Sequence, residues 1–274
     1  MGNEWALMGF TSFVCLAAGI AVAVAAGELL DFPVAPLVRA ARASIGFMLL
    51  GALAAAFSLG RPEMIFGVLG HPGSQTFWEV ILLGISLASL AAFATAHGRS
   101  SELAVTRGFA LTAGLSAVLL AYAVGSGLVM PWRAAWNTHA IPLAFLGWTF
   151  VIETLAFKAI AIASGRSEGT SRRVPAAAAI AIVLVFAYIA FILADPGLRS
   201  DGTALRPLIG DLSPVFWMGV VLVGLIAPVA LVLKSREDSL KATLLAIPCA
   251  FIGTAAFQEV IYQIGMPTWH FFGS

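Results

Sequence analysis

The chain has 274 residues, of which 60% are hydrophobic and only 11% are charged, and its formal net charge is +1. Soluble globular domains contain about 25% charged residues, so this composition excludes an ordinary soluble domain. The total charge is uninformative, because the charges are distributed very unevenly along the chain.

Eight apolar segments with almost no internal charge follow one another along the sequence. Most of them reach the roughly 20 residues that a helix needs to cross a bilayer. Each must be helical, because lipid offers no hydrogen-bond partner to backbone N–H and C=O groups. We therefore predict an all-α membrane protein with eight transmembrane helices, forming a single integral membrane domain over residues 1–274. The predicted spans are approximately Trp5–Leu30, Ala43–Ser58, Phe77–Thr95, Arg107–Val129, Ala140–Ser164, Pro175–Leu193, Pro214–Lys234 and Leu240–Tyr262.

The positive charges are concentrated in alternate connections. The connections after spans 1, 3, 5 and 7, together with the inner end of span 5, contain eleven of the 15 Lys and Arg residues, and the others contain four. Because cytoplasmic loops are enriched in Lys and Arg, the first set is predicted to be cytoplasmic. Both termini are then predicted on the outer, periplasmic side of a bacterial inner membrane that the chain crosses several times.

The tryptophans are concentrated on the predicted outer side. An ordinary aromatic belt would occupy both membrane interfaces. One interpretation is that the inner interface uses Phe and Arg anchors instead. The interpretation that we favour is that the outer surface binds something large or aromatic, because interface cores are enriched in Trp, Tyr and Arg. These residues are Trp5, Trp78, Trp132, Trp136, Trp217 and Trp269, with Trp148 lying deeper in span 5.

The outer connection Leu59–Thr76 is predicted to cover a cavity. Pro62 suits the first turn of a helix, and Gly70–Gly73 would end that helix. The segment between them is apolar but too short to span the membrane. We therefore predict an interfacial lid, with His71 near its end.

Four carboxylates lie at least partly at membrane depth, where an ionisable side chain is costly and a functional role is the default hypothesis. Glu28 ends span 1 and is interpreted as facing lipid headgroups, whereas Glu259 in span 8 is expected near the outer region of Glu79. Glu153 lies in the middle of span 5. Lys158 is five residues further on and therefore on another helix face, so Glu153 needs an interhelical partner or a proton.

Glu79 begins span 3 just inside the predicted outer interface. One interpretation is a carboxylate stabilised by the positive end of the helix dipole. The other is a proton acceptor, because a carboxylate beside an apolar cavity can accept a proton near neutral pH. A lipid-soluble hydroquinone releases two protons when it loses two electrons. In this interpretation Glu79 accepts a proton, and Trp132 and Trp136 form walls around the ring.

The sequence predicts no metal, haem or iron–sulfur cluster within the chain. Its two cysteines, Cys15 and Cys249, lie inside spans, and an iron–sulfur cluster usually needs four thiolates. All four histidines lie in connections or in the tail, so a haem held between helices is not expected. Electrons handled by the chain would have to pass to a cofactor in another subunit.

Several segments resemble a known family. The opening Glu4–Phe13 (EWALMGFTSF) resembles the start of the membrane anchor subunit of dimethyl sulfoxide reductase. So do Ser58–Pro62 (SLGRP), the following Glu79, and the end of the chain with Glu259 and His270. The resemblance extends over essentially the whole chain.

This resemblance implies a function. In that family the anchor oxidises menaquinol and passes electrons to a four-cluster, ferredoxin-like iron–sulfur subunit, which supplies a molybdopterin catalytic subunit. The resemblance places Glu79 at the quinol site. Ser58 stands where the family has a histidine, and His71 is a candidate replacement. The last span also departs from the family's Gly-Glu-x-x-Gly-Arg, since Gln258–Gln263 reads QEVIYQ.

We therefore predict a membrane anchor for anaerobic respiration that oxidises quinol, with menaquinol favoured over ubiquinol. The iron–sulfur and molybdopterin subunits are expected on its outer loops, and membrane lipid but no nucleic acid is expected as a further partner. The alternatives are a secondary transporter, which usually contains inverted repeats with broken helices, and a passive assembly anchor without a quinone site. The predicted catalytic residues are Glu79, Ser58 and His71, and the predicted quinol-binding residues are Trp78, Arg61, Phe66, Trp132, Trp136 and Glu259.

Overall fold

The computed structural model describes residues 4–58, 65–68, 70–97, 103–235 and 239–265. Over these ranges it contains no strand, and eight of its helices are long and apolar enough to cross a membrane. The prediction of an all-α, multi-pass membrane protein with eight spans is confirmed. The side of the membrane on which the termini lie stays a prediction.

The eight long helices, α1 to α8, follow one another in chain order. The shortest has 20 residues, which at 1.5 Å per residue is about the thickness of the bilayer core. Their bounds are Glu4–Leu29, Val34–Ser58, Gln75–Ala96, Leu103–Ser126, Ala140–Ala163, Arg173–Ala194, Val215–Lys234 and Leu240–Gly265.

Helix α2 begins nine residues before the predicted start of span 2. Arg39 and Arg42 interrupt the apolar pattern there, but both lie inside the helix. The guanidinium of Arg39 donates from Nε to the carbonyl of Ala35, one turn earlier, at 3.2 Å. A long arginine side chain can keep its charge in water while its stem covers apolar surface, so the charges do not end the helix.

The helices form two groups of four. In the first group, α1 and α3 each pack on both α2 and α4. In the second group, α5 and α7 each pack on both α6 and α8. Helices α1 and α5 pack against each other between the groups and are the most buried of the eight.

The contact between α1 and α5 is close at Gly19, where a Cβ would lie 2.7 Å from the carbonyl oxygen of Thr149 and 2.9 Å from the backbone nitrogen of Glu153. Small residues allow this approach between membrane helices.

The alternating helices give the molecule two faces. We call the end with Glu4 and Gly265 the terminal face; the connections α2–α3, α4–α5 and α6–α7 lie there. The opposite face contains the connections α1–α2, α3–α4, α5–α6 and α7–α8. Of the described tryptophans, all but Trp148 lie within the first turn of a helix or in a connection at the terminal face, as the sequence predicts.

Helix α7 is irregular. Its first part, Val215–Ile226, is a π-helix, and its second part, Ala227–Lys234, is an α-helix with Pro228 in its first turn. At Gly224 it crosses α8, and a Cβ there would lie 2.5 Å from the Cα of Gly253 and 2.7 Å from Cη2 of Trp148. The two backbones therefore touch at this crossing, and the indole of Trp148 packs against both glycines.

The expectation that Glu28 faces lipid headgroups is wrong. Glu28 is only 4% exposed. Its carboxylate accepts a hydrogen bond from Thr106 Oγ1 at 2.7 Å and pairs with His97 Nε2 at 3.1 Å. The end of α3 and the start of α4 close over the end of α1, so the carboxylate is enclosed by neighbouring helices at the opposite face.

Candidate functional site

Glu79 lies at the junction of two helix ends at the terminal face. It is the fifth residue of α3 and is half-buried. A Cβ on Gly127, just after the end of α4, would lie 3.0 Å from its Oε1 atom and 3.4 Å from the carbonyl oxygen of Val124. The glycine therefore leaves the space that the carboxylate occupies, and a larger residue would crowd it.

Gln75 is the polar neighbour of this carboxylate. Its side chain forms a hydrogen bond with Glu79, and its Nε2 atom donates to the carbonyl oxygen of Ala123 at 2.6 Å. Gln75 is itself exposed, so it lies between the half-buried carboxylate and the surface. Among the residues in the described ranges, Glu79 forms no salt bridge.

The helix cap at the start of α3 is provided by another residue. The hydroxyl of Ser74 accepts a hydrogen bond from the backbone N–H of Phe77 at 3.2 Å. Glu79 lies beyond the first turn, where the effect of the helix dipole has begun to fall off. The interpretation of Glu79 as only a helix-terminal charge therefore has less support than its sequence position suggested.

The residue before Glu79 in α3 is an exposed aromatic side chain. Trp78 is 52% exposed, and its ring meets the ring of Phe77 edge-on, with 5.5 Å between the centroids. Near the end of a membrane helix, such a side chain lies at the boundary between lipid and water. The start of α3 is therefore expected at that boundary.

Only part of the predicted lid lies in the described ranges. A short helix, Ile65–Val68, is present between Pro62 and Gly70, where the sequence predicts one. Residues 59–64 and 69 lie outside the described residues, so the structure does not test Arg61. The side chains of Ser58 and Phe66 are likewise outside the description, although both residues belong to helices.

His71 links this short helix to α3. It is exposed, and its Nδ1 atom lies 3.1 Å from the carbonyl oxygen of Gly67. Its backbone N–H donates to Val68, and its carbonyl accepts from the N–H of Ser74 at 2.9 Å. The imidazole is therefore held near the start of α3, on the same face as Glu79.

The two tryptophans of the α4–α5 connection have different environments. Trp132 is 78% exposed. Trp136 is buried, and its Nε1–H donates to the carbonyl oxygen of Ile261 in α8 at 2.8 Å. The guanidinium of Arg133 lies 4.4 Å from the Trp136 ring centroid and donates to the carbonyl of Gly265. Trp136 therefore anchors the connection to α8, whereas Trp132 is available at the surface.

The structure does not bring Glu259 and Glu79 together. Glu259 accepts a hydrogen bond from Gln263 Nε2 at 2.8 Å, within α8. Helix α8 packs mainly on α5 and α7, whereas α3 packs on α2 and α4. The two glutamates therefore belong to different helix groups.

A second carboxylate, that of Glu153, borders a cavity of about 320 Å³ in the middle of the spans. Glu153 is 8% exposed, and Arg173 in α6 is an opposite charge that acts on it across the helix interface. Lys158 is completely buried and donates from Nζ to Ser171 Oγ at 2.7 Å. The sequence identified Glu153 as unusual, but the cavity depends on how α4, α5 and α6 pack and has no sequence signal.

The sequence interpretation also overlooked a polar contact between α1 and α8. Gln258 and Thr11 are fully buried and hydrogen-bonded to each other, and Ser12 is buried next to them. A polar residue inside each of two apolar spans was the available signal, because buried polar side chains in membranes pair with one another.

No protein-family model matches the chain, and no curated protein matches it. The resemblance to the dimethyl sulfoxide reductase anchor therefore stays a prediction from the residues quoted above.

Proposed function

We propose that the chain is a quinol-oxidising membrane subunit that delivers electrons to an iron–sulfur subunit of a molybdopterin reductase. The observation that supports this proposal best is the position of Glu79. It is a half-buried carboxylate one turn inside the terminal face, it follows the exposed Trp78 in α3, and it is hydrogen-bonded to the exposed Gln75. A quinol hydroxyl needs such a proton acceptor between the bilayer and water.

The orientation follows from the charges. With the Lys- and Arg-rich connections in the cytoplasm, the terminal face is the outer face of a bacterial inner membrane. The partner subunits would then dock on the terminal-face connections, close to Trp132. Exposed tryptophan is typical of surfaces that bind protein partners.

In the proposed reaction, a quinol loses two protons and two electrons and becomes a quinone. Glu79 accepts the two hydroxyl protons one after the other and releases each to outer water past Gln75. His71 or Ser58 holds the other hydroxyl in place. If Nδ1–H of His71 donates to Gly67, the Nε2 atom of the same ring is the acceptor that remains. The two electrons leave for an iron–sulfur cluster of the docked partner.

The experiment that tests this function is affinity purification of the tagged chain from membranes, with metal analysis and mass spectrometry of the co-purifying proteins. We expect iron with molybdenum or tungsten, in a ferredoxin-like subunit and a large pterin subunit. A metal-free chain that purifies alone would contradict the proposal.

A secondary transporter is the second candidate, favoured by the irregular helix α7. Transporters often use broken helices near the membrane midplane, in matching positions of two repeats. Helix α3, which occupies the same place in the first helix group, is a regular α-helix. Because the irregularity is not repeated, we rank this function below quinol oxidation.

A further inference from the structure

The cavity beside Glu153 is far from Glu79. Glu153 is the fourteenth residue of the 24-residue helix α5, about 20 Å along the axis from its terminal-face end. The walls are provided by α4, α5 and α6, and α1 lies behind them. Apart from Glu153 and Thr149, the lining side chains are apolar; they include Val118, Leu146 and Ile180.

The cavity opens toward lipid. Leu143, Phe150 and Ile180 line it and are also among the exposed large hydrophobic side chains. At mid-span, the surroundings of an exposed side chain are acyl chains rather than water. A molecule that enters this cavity therefore comes from the bilayer.

The carboxylate of Glu153 has room for a donor. Within the described part of the chain it accepts no hydrogen bond and forms no salt bridge. The hydroxyl on the cavity wall, Thr149 Oγ1, donates to the carbonyl of Phe145 at 2.9 Å rather than to Glu153. A buried carboxylate without a donor is costly, so a ligand that supplies one is favoured.

The local charges favour a neutral ligand. Arg173 acts on Glu153 from α6, and its guanidinium lies 4.9 Å from the ring centroid of Phe157. A cationic ligand would add a second positive charge to the same region, whereas a neutral O–H donor adds none.

We propose that this cavity is a binding site for a lipid-soluble phenol, separate from the Glu79 site. The ring lies among Val118, Phe150 and Ile180, and the phenolic O–H donates to Glu153. A volume of about 320 Å³ accommodates a substituted ring, while an alkyl tail extends through the mouth into lipid. Phe150 provides an aromatic contact at the mouth.

The test uses an alkylphenol that carries a photoreactive diazirine, with the purified protein in lipid nanodiscs. After illumination, mass spectrometry locates the labelled residues. We expect labelling on α5 and α6 around Phe150 and Ile180. The methyl ether of the same probe has the same ring but no donor. We expect it to label about tenfold less, because the hydrogen bond to Glu153 is lost.

Two matched variants locate the site. Val118→Phe fills the cavity and is expected to abolish the labelling. Leu115→Phe adds the same ring on the exposed side of α4 and is expected to leave it unchanged. Equal labelling by the phenol and its ether, labelling that persists in Val118→Phe, or no labelling at these helices would each overturn the proposal.

This inference and the proposed function fail separately. Glu79→Gln is expected to leave phenol labelling intact while it stops quinol oxidation. Labelling that is lost in Glu79→Gln would place the phenol at the terminal face and would overturn the assignment to Glu153.

Discussion

Two glutamates with opposite surroundings lie at the two ends of the α3–α4 pair: Glu28, which belongs to α1, and Glu79, which belongs to α3. At the opposite face, Glu28 is enclosed by His97 and Thr106, and its polar atoms are satisfied by the protein. At the terminal face, Glu79 is half-buried beside Gly127, with Gln75 as its polar neighbour. A buried carboxylate with its own donors stabilises the fold, whereas one that is left partly open can exchange a proton or bind a ligand.

The largest expected effect is the loss of quinol oxidation when the carboxylate of Glu79 is removed. Glu79→Gln keeps the shape of the side chain but removes the proton acceptor, so quinol oxidation by the purified complex is expected to fall by about 100-fold or more. Assembly and melting temperature are expected to stay unchanged. The control is Glu168→Gln, which removes an exposed carboxylate at the opposite face. Wild-type turnover in Glu79→Gln would exclude Glu79 from the reaction.

Glu28, which is enclosed by the protein, is expected to affect stability instead. Glu28→Ala removes the acceptor of His97 and leaves Thr106 Oγ1 with only the carbonyl oxygen of Leu103. This is expected to lower the free energy of unfolding by about 2 to 3 kcal/mol. Glu28→Gln keeps an acceptor and is expected to lose less. Thermal unfolding in detergent measures both variants. Identical melting temperatures for the Ala and Gln variants would show that these hydrogen bonds do not stabilise the protein.

A pair of glycines tests whether the space around Glu79 matters. Gly127→Ala places a Cβ 3.0 Å from Oε1 of Glu79, so the carboxylate must shift and quinol oxidation is expected to fall by about tenfold. Gly73→Ala is the matched control, because nothing lies within 4 Å of the added atom. Steady-state turnover of both variants makes the comparison. Equal rates would mean that the position of the carboxylate is not important.

The smallest expected effect concerns an exposed ion pair at the terminal face. Arg206 donates to both carboxylate oxygens of Asp211, at 2.9 and 2.7 Å, and to the carbonyl of Gln263. The hydrogen bonds from Arg206 hold the pKa of Asp211 below its usual value. Since the folded-state pKa is the lower one, the stabilisation is present above the unfolded pKa of about 3.9 and is lost as the pH falls through the folded value.

Hydrogen exchange of residues 195–213 measures this effect as a protection factor, which is the intrinsic exchange rate at each pH divided by the observed rate. The protection factor is expected to fall modestly as the pH falls below about 4, because exposed pairs contribute little. Asp211→Asn is expected to show no such fall. A fall of the same size in the variant would assign the pH dependence to another group. In contrast with Glu28, this pair is expected to leave the melting temperature almost unchanged.

The sequence was sufficient for the spans, because hydrophobicity over about 20 residues is a property of the chain itself. It failed at the start of α2, where Arg39 and Arg42 end the apolar pattern but not the helix. It identified Glu79 and Glu153 as unusual, since an ionisable residue in an apolar segment is visible without a structure.

The surroundings of these residues could not be predicted. The enclosure of Glu28 depends on which helix ends meet, and the cavity at Glu153 depends on the gap that three helices leave between them. Trp136 is predicted to form part of a ligand wall, and its contact with α8 was not visible in the sequence. Each of these outcomes is decided by contacts between residues that are far apart in the chain.

The crossing of α5, α7 and α8 has a consequence for how this protein can evolve. Trp148, Gly224 and Gly253 occupy one shared volume, so a change at any one position alters what the other two can accept. A methyl group at either glycine would lie 2.5 Å or less from the Cα of the other, closer than to the indole. The two helices would have to move apart before either position could accept a side chain, and the indole at 148 would then have to follow. Among homologues, we expect 224 and 253 to stay glycine together, and a larger residue at either one to be accompanied by a change at 148.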